Sequence, residues 1–385
     1  MYNILTLNKI SKTGLSNFNA DLYACADDFA APDAVIVRSA SMHDMEIPSS
    51  VLAIARAGAG YNNIPVDACT EKGICVFNTP GANANAVKEL VICGLLLASR
   101  RIAPAMDWCK TLKGEDEISK KIEKGKSNFA GPEIMGKTLG VIGLGAIGVK
   151  VCNAAVALGM KVVGYDPYLS DMAASMLDKT VVITSKLEQI FTDSDYISVH
   201  APLTDSTKNI VNKDTLAMAK DGIRVLNFAR GGLVDDNAIV EAIESGKCAA
   251  YATDFPTDAQ LGLEGVIALP HLGASTPESE ENCAVMAVNQ ISEYLEKGNV
   301  VNSVNLPCVS KDIAEGKKRL TVITKGDVSE NIYAALASAG VSAEDATASI
   351  RKETGYVIVD AVNLSDDSLA AVKAVDGVLS ARVIG

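Results

Sequence analysis

With 385 residues, 48% of them hydrophobic and 21% charged, the chain is too long for one hydrophobic core and too apolar for a disordered or fibrous protein, so two or three globular domains are expected. A formal net charge of −12 argues against a surface for nucleic acid or anionic lipid, which needs clustered Lys and Arg. Nine cysteines without a C-x-x-C pair, and an opening MYNILTLNKI without a signal-peptide core, point to free thiols, no metal site and a cytoplasmic location.

Along the chain, short apolar runs alternate with helical patterns, the rhythm of parallel strands joined by crossover helices, so the class is α/β. AVIVR (34–38), VLAIAR (51–56) and ICVF (74–77) read as strands. A helix follows from about Asn83 to Arg101, with Val87, Leu90, Val91, Leu95 and Leu97 on its buried face. The lysine-rich stretch 111–129 reads as a solvated face. From Thr138 a second α/β unit begins, with TLGVIG, KVVGYD, DYISVH, IRVLNFAR and CAAYATD apolar enough for strands covered on both faces. Thr276 as N-cap, Pro277 at the first position, acidic residues in the first turn and Gly298 past the end mark one long helix. Residues 300–318, with Pro307 and Gly316, read as a linker. A last unit alternates RLTVIT, a helix near Asn331–Ser338, YVIVDAV, a helix near Ser368–Ala374 and SARVI.

The clearest chemical signal is Gly143-Leu-Gly145-Ala146-Ile147-Gly148, a G-x-G-x-x-G between a strand and a helix. The first glycine permits a tight turn, the second lets backbone approach a pyrophosphate, the third lets helix and strand pack closely, and the helix N-terminus offers unpaired N–H groups. Asp166 ends the next strand, 18 residues beyond Gly148, where it can accept bonds from ribose hydroxyls and repel a 2′-phosphate. No Lys or Arg follows before Asp178, so NAD is favoured over NADP.

Oxidising a hydroxyl beside a carboxylate needs a proton acceptor, a cation and a partner for the acceptor. Among three histidines, His271 in LPHLGAST follows an apolar run, and Arg230 follows VLNFA, so both sit where open α/β sheets bind ligands. Asp258 lies between them in TDFPTD. His200 also follows a strand and is a weaker candidate for the proton, and His43 reads as a surface residue.

The runs LNFARGGLVDDNAIVEAIESGKCAAYATDFPTD, LPHLGAST and ARAGAGYNNIPVDACTEKGICVFNTPGAN resemble the D-isomer-specific 2-hydroxyacid dehydrogenase family, over about residues 30–305. The resemblance implies a Rossmann-type doubly wound domain over 95–272, a flavodoxin-like substrate domain from 1–94 and 273–304, and a linker at 305–318. It implies that Arg230 orients the substrate carboxylate and carbonyl, that His271 is the general acid/base, and that the family's catalytic Glu falls on Asp258. That acid is a methylene shorter than the family's, on a loop one residue shorter than is common. By the same resemblance His200, Ala201, Pro202 and Ala229 line the cofactor and Asp254 contacts the nicotinamide amide. In members acting on 3-phosphoglycerate, the residues matching Arg38 and Arg56 hold the phosphate, while Ala59, Gly60 and Asn83 face the carboxylate. Residues 319–385 resemble an ACT regulatory domain, an α+β unit that in this family often binds serine; the first loop, VITKGDVSEN, lacks the His and Asn of serine-binding versions, which leaves the amino-acid effector open. A homodimer or homotetramer is expected, because the family's arm at 111–129 packs on a second subunit. Two alternatives stand: a dehydrogenase of an unphosphorylated acid such as glycerate or glyoxylate, and a non-catalytic NAD-sensing regulator.

Overall fold

Three sheets organise the 385 residues described by this computed structural model. The first comprises β1 (Tyr2–Leu7), β2 (Tyr23–Ala26), β3 (Ala34–Val37), β4 (Ala53–Arg56) and β5 (Cys75–Phe77), all parallel, in the order β2-β1-β3-β4-β5. β3 is buried along its whole length, as a strand covered on both faces must be. The order reverses between β1 and β3, and the turns after these strands meet there. Asn8 beyond β1 accepts the backbone N–H groups of Ser39 at 3.2 Å and Ala40 at 2.5 Å, fixing the turn that carries Arg38.

The second sheet holds β6 (Thr138–Ile142), β7 (Lys161–Tyr165), β8 (Val182–Thr184), β9 (Tyr196–Val199), β10 (Ile223–Asn227), β11 (Cys248–Thr253) and β12 (Val266–Ala268). It is parallel throughout, in the order β12-β11-β10-β9-β6-β7-β8. Helices α1 (Ala84–Arg100) and α2 (Ala146–Ala157) belong to this unit, and Val87, Val91 and Leu95 of α1 join Leu139, Val141, Leu226 and Phe228 in one core. The chain reverses direction across the sheet between β6 and β9, the place where doubly wound sheets bind ligands.

The third sheet is antiparallel, β14 (Ala346–Arg351), β15 (Thr354–Ala361), β13 (Lys318–Lys325) and β16 (Val378–Ile384) in spatial order. Its residues alternate faces with the period of two that strands impose. Leu320, Val322, Val357 and Val359 pack with residues of helices α4 (Ser329–Ser338) and α5 (Asp366–Lys373), among them Ile332, Leu336 and Val372. Ile323, Tyr356 and Ile358 on the opposite face share a core with Phe77 of β5 and Tyr294 and Leu295 of the long helix α3 (Pro277–Lys297). Residues 1–83 and 277–385 form one compact unit, and 84–276 the other.

Polar contacts reinforce that shared core. The Tyr356 hydroxyl donates to the Gly298 carbonyl at 2.7 Å, and the Arg382 guanidinium donates to the Leu295 carbonyl at 3.0 Å while lying 4.6 Å from the Tyr294 ring centroid. Arg319, fully buried, makes a two-pronged bond to Asp360 (Nε 2.7 Å, Nη2 2.8 Å) and donates to the carbonyls of Lys297, Lys311 and Asp312. Segment 300–317 is irregular, as its sequence suggests, but it is packed: Leu306 and Val309 are buried, and the Asn305 side chain accepts the Val76 N–H at 2.8 Å. The nine cysteines are free thiols, and no helix is long and apolar enough to cross a membrane.

Removing Arg319 strands a buried carboxylate, which costs about 3–5 kcal/mol for an interior pair. Arg319→Met is expected to lower unfolding free energy in urea by about 3 kcal/mol, since Lys311 at 3.2 Å remains beside Asp360. The double variant Arg319→Met/Asp360→Leu is expected to recover most of it.

Candidate active site

Every strand of the second sheet runs the same way, so the loops after β6, β7, β9, β10, β11 and β12 emerge at one edge. These loops carry, in turn, Gly143, Asp166, His200, Arg230, Asp254 and His271.

The turn after β6 is shaped by contact. Gly143 adopts φ +93°, and a Cβ there would lie 2.7 Å from the His200 carbonyl carbon. A Cβ on Gly148 would lie 2.0 Å from the Gly143 carbonyl oxygen. At Gly145, by contrast, a Cβ would meet nothing within 4 Å. Gly145 caps α2 without any side-chain bond, and the first N–H of this turn to reach a helical acceptor is that of Val149, on the Gly145 carbonyl at 3.0 Å. The N–H groups of Ala146, Ile147 and Gly148 therefore remain as donors at the positive end of a helix dipole, open to an anion. The Asp166 carboxylate is bound by the N–H of Leu144 at 2.8 Å and of Tyr168 at 2.8 Å, which sets it beside the glycine turn. Asp254, 2% exposed, takes the Gly273 N–H on Oδ2 at 3.2 Å and leaves Oδ1 buried without a partner. Burial pushes its carboxyl pKa up, against the pull of the Gly273 N–H and the charge of His271. A dinucleotide fits these residues: the N–H groups suit a pyrophosphate, and the orphaned Oδ1 suits an amide N–H.

Arg230 is exposed, its Nη1 donating to the Ala229 carbonyl at 2.7 Å. Asn227, buried at the end of β10, clamps this loop: its Oδ1 accepts the Ala229 N–H at 3.2 Å and its Nδ2 donates to the Arg230 carbonyl at 2.9 Å. His271 is exposed, with the Phe255 ring 4.5 Å away at a 49° tilt. Asp258 is exposed too, and no hydrogen bond joins it to His271 or Arg230. His200 differs: Nε2 pairs with the Ser198 hydroxyl at 2.8 Å, Nδ1 is buried without a partner, and burial lowers its pKa to about 4. Ala201 is buried and the Pro202 carbonyl accepts from the Thr207 hydroxyl at 2.5 Å, and a desolvated imidazole kept neutral is poorly suited to carry a proton.

In the other unit, Arg38 directly follows β3 and Arg56 ends the neighbouring β4, and the Arg56 Nε donates to the Arg38 carbonyl at 2.9 Å. Arg38 Nη1 pairs with Glu280, in the first turn of α3, at 2.7 Å. The Ala59 carbonyl accepts from Asn78 at 2.6 Å, Gly60 is half-buried, and the Asn83 Oδ1 is buried without a partner. His43 is bound to the Asn62 carbonyl at 2.9 Å near the surface. Sequence reading missed Asn8, Asn227, Phe255 and Glu280. A polar residue inside VLNFA was the one signal that could have singled out Asn227.

Residues 93–273 match the NAD binding domain of the D-isomer specific 2-hydroxyacid dehydrogenases. A hydroxypyruvate reductase of Thermotoga maritima is 40% identical over 277 residues, covering 68% of this chain and 85% of its own. A D-3-phosphoglycerate dehydrogenase of Synechocystis is 36% identical over 313 residues, 79% of this chain, although the match spans only 53% of that longer protein. The crystal structure of an NAD+-bound 3-phosphoglycerate dehydrogenase of Entamoeba histolytica superposes with a TM-score of 0.60 at 25% identity, over 79% of this chain and 98% of that one.

A histidine with its pKa lowered in the fold binds fewer protons folded than unfolded, so it adds stability above the unfolded value of 6.5 and loses it as pH falls toward about 4. Thermal melts of His200→Asn are expected to show a weaker dependence on pH between these limits than the unmodified chain. An unchanged slope would contradict a neutral, desolvated His200.

Proposed function

The chain belongs to the D-isomer specific 2-hydroxyacid dehydrogenase family as an NAD-binding enzyme, and from that premise we propose that it acts as a D-3-phosphoglycerate dehydrogenase, oxidising 3-phosphoglycerate to 3-phosphohydroxypyruvate. The observation that carries the reading is the pair of arginines at adjacent strand ends, tied together by the Arg56–Arg38 bond. A planar guanidinium suits a phosphate better than a lone ammonium does, and charge-assisted bonds of this kind contribute about 1.5–3 kcal/mol each.

When bound, NAD supplies the acceptor for the hydrogen on C2. His271 takes the hydroxyl proton, with Phe255 fixing the plane of the imidazole, and returns it in the reverse direction. Arg230, held by Asn227, binds the carboxylate and the forming carbonyl. Asp258 is the acid of the set by family pattern. Asp254 keeps Oδ1 for the nicotinamide amide and holds the backbone two residues beyond His271 through the Gly273 N–H. Asp166 takes the ribose, in preference for NAD. Arg38 and Arg56 hold the phosphate, with Ala59, Gly60 and Asn83 toward the carboxylate.

Two further parts belong to the proposal. Helical segments Ile102–Thr111 and Ile118–Gly125 bury none of their own residues and leave Met106, Ile118 and Ile122 exposed, which supports a homo-oligomer formed through this arm. The third sheet with α4 and α5 supports an ACT-like unit, and an amino-acid effector for it is part of the proposal by family resemblance alone.

A second reading, reduction of unphosphorylated hydroxypyruvate or glyoxylate, is favoured by the Arg38–Glu280 ion pair, which already occupies one guanidinium. NADH oxidation against 3-phosphohydroxypyruvate, hydroxypyruvate and glyoxylate separates the two. A kcat/KM at least about tenfold higher for the phosphorylated acid is expected from one such bond, and a ratio near one supports the second reading. His271→Asn is expected to cut turnover by about two orders of magnitude.

A further inference from the structure

We propose that Glu280 is a tethered competitor for the substrate's phosphate: its carboxylate occupies the Arg38 guanidinium until a phosphate displaces it. The inference rests on the reading of Arg38 and Arg56 as the phosphate pair and adds a residue that sets how tightly the pair binds.

The geometry is that of an occupied anion site. Glu280 Oε1 lies 2.7 Å from Arg38 Nη1, a charge-assisted bond of the kind a phosphate oxygen would make. Both arginines approach the start of α3. The thiol of Cys283, one turn along from Glu280, is pushed up by burial and pulled down by the charges of both Arg56 and Arg38. The Arg38 backbone is held on both sides, by Arg56 on its own carbonyl and by Asn8 on the two N–H groups that follow. The side chains of the ion pair are not held in that way, since 34% of Arg38 and 36% of Glu280 is exposed. A carboxylate on a half-solvated side chain can leave and be replaced; one buried like Asp360 cannot.

Arg38 cannot satisfy both anions at full strength. A phosphate dianion beside an unmoved Glu280 carboxylate meets like-charge repulsion, so binding includes breaking the pair. A partly exposed pair is worth up to about 1 kcal/mol, about fivefold in affinity, and removing the repulsion adds to that. Substrate and product both carry the phosphate, so the carboxylate weakens both, keeping KM high and product release fast. Glu280 also faces the helix N-terminus, as Glu278 does on the same turn, so any effect of helix electrostatics alone should appear equally at either position.

The test is steady-state kinetics with NADH on the full chain, comparing Glu280→Gln, Glu278→Gln and Arg56→Ala on 3-phosphohydroxypyruvate and on hydroxypyruvate. For Glu280→Gln, KM for the phosphorylated acid is expected to fall about five- to tenfold, with no rise in kcat, while KM for hydroxypyruvate moves less than twofold. Glu278→Gln, exposed and on the same turn, is expected to leave both within twofold. Arg56→Ala separates the two levels of the account. If it raises KM for the phosphorylated acid alone while Glu280→Gln leaves that KM unchanged or raises it, the competitor is refuted and the phosphate pair stands. If Arg56→Ala leaves the ratio between the two acids unchanged, the phosphate reading itself falls and the competitor with it.

Discussion

The close approach of α2 to the turn after β6 is the contact on which the cofactor half of the structure depends. With 2.0 Å between the Gly143 oxygen and a hypothetical Cβ on Gly148, only hydrogen fits there, and Gly143 is pressed in turn against the backbone after β9. These contacts bring a helix N-terminus to the point where the sheet reverses direction. Once it is there, the parallel sheet does the rest, because each further strand delivers its next loop to the same edge. Asp166, Arg230, Asp254 and His271 thus reach one edge of the sheet without contact among all four.

The other unit is organised around one long helix. The first turn of α3 meets Arg38, its middle packs into the core of the first sheet, and its end is gripped by Arg319, Tyr356 and Arg382 of the third sheet. The antiparallel sheet thus completes a core instead of hanging from a tether. Cys283, Ala287, Ile291 and Leu295 are all buried, so α3 is packed along one face from near the turn bearing Glu280 to the end that the third sheet grips.

Much of this was legible in the residues. Buried parallel strands read as unbroken apolar runs, so β3 to β7 and β9 to β11 were visible, and the limits of α3 followed from Pro277 and Gly298. The α/β class read from these patterns holds, and so do the doubly wound and flavodoxin-like sheets that the family resemblance implied. Several strands with mixed burial were not visible: β1 is only partly buried, β2 has one buried residue among its four, and β14 is a largely exposed edge with a polar sequence. The linker pattern at 300–318 identified irregular backbone but could not reveal that Asn305 and Leu306 are built into the core, because packing leaves no periodic trace. At the site, glycine spacing and strand ends located the candidates. Their partners were invisible, since Glu280 reaches Arg38 across 242 positions and Phe255 meets His271 through a loop fold that no spacing encodes.

Gly145 offers the most direct test of the cofactor assignment, because it is the one glycine of the turn whose missing side chain leaves empty space. NADH binding followed by fluorescence, with thermal unfolding measured alongside, reads ligand and fold separately for Gly145→Leu. The account predicts a melting temperature within about 2 °C of the original, since a Cβ added at Gly145 meets no atom within 4 Å, and a loss of NADH affinity of about a hundredfold or more as the leucine fills the pyrophosphate's place. Undiminished affinity in the intact fold would contradict it.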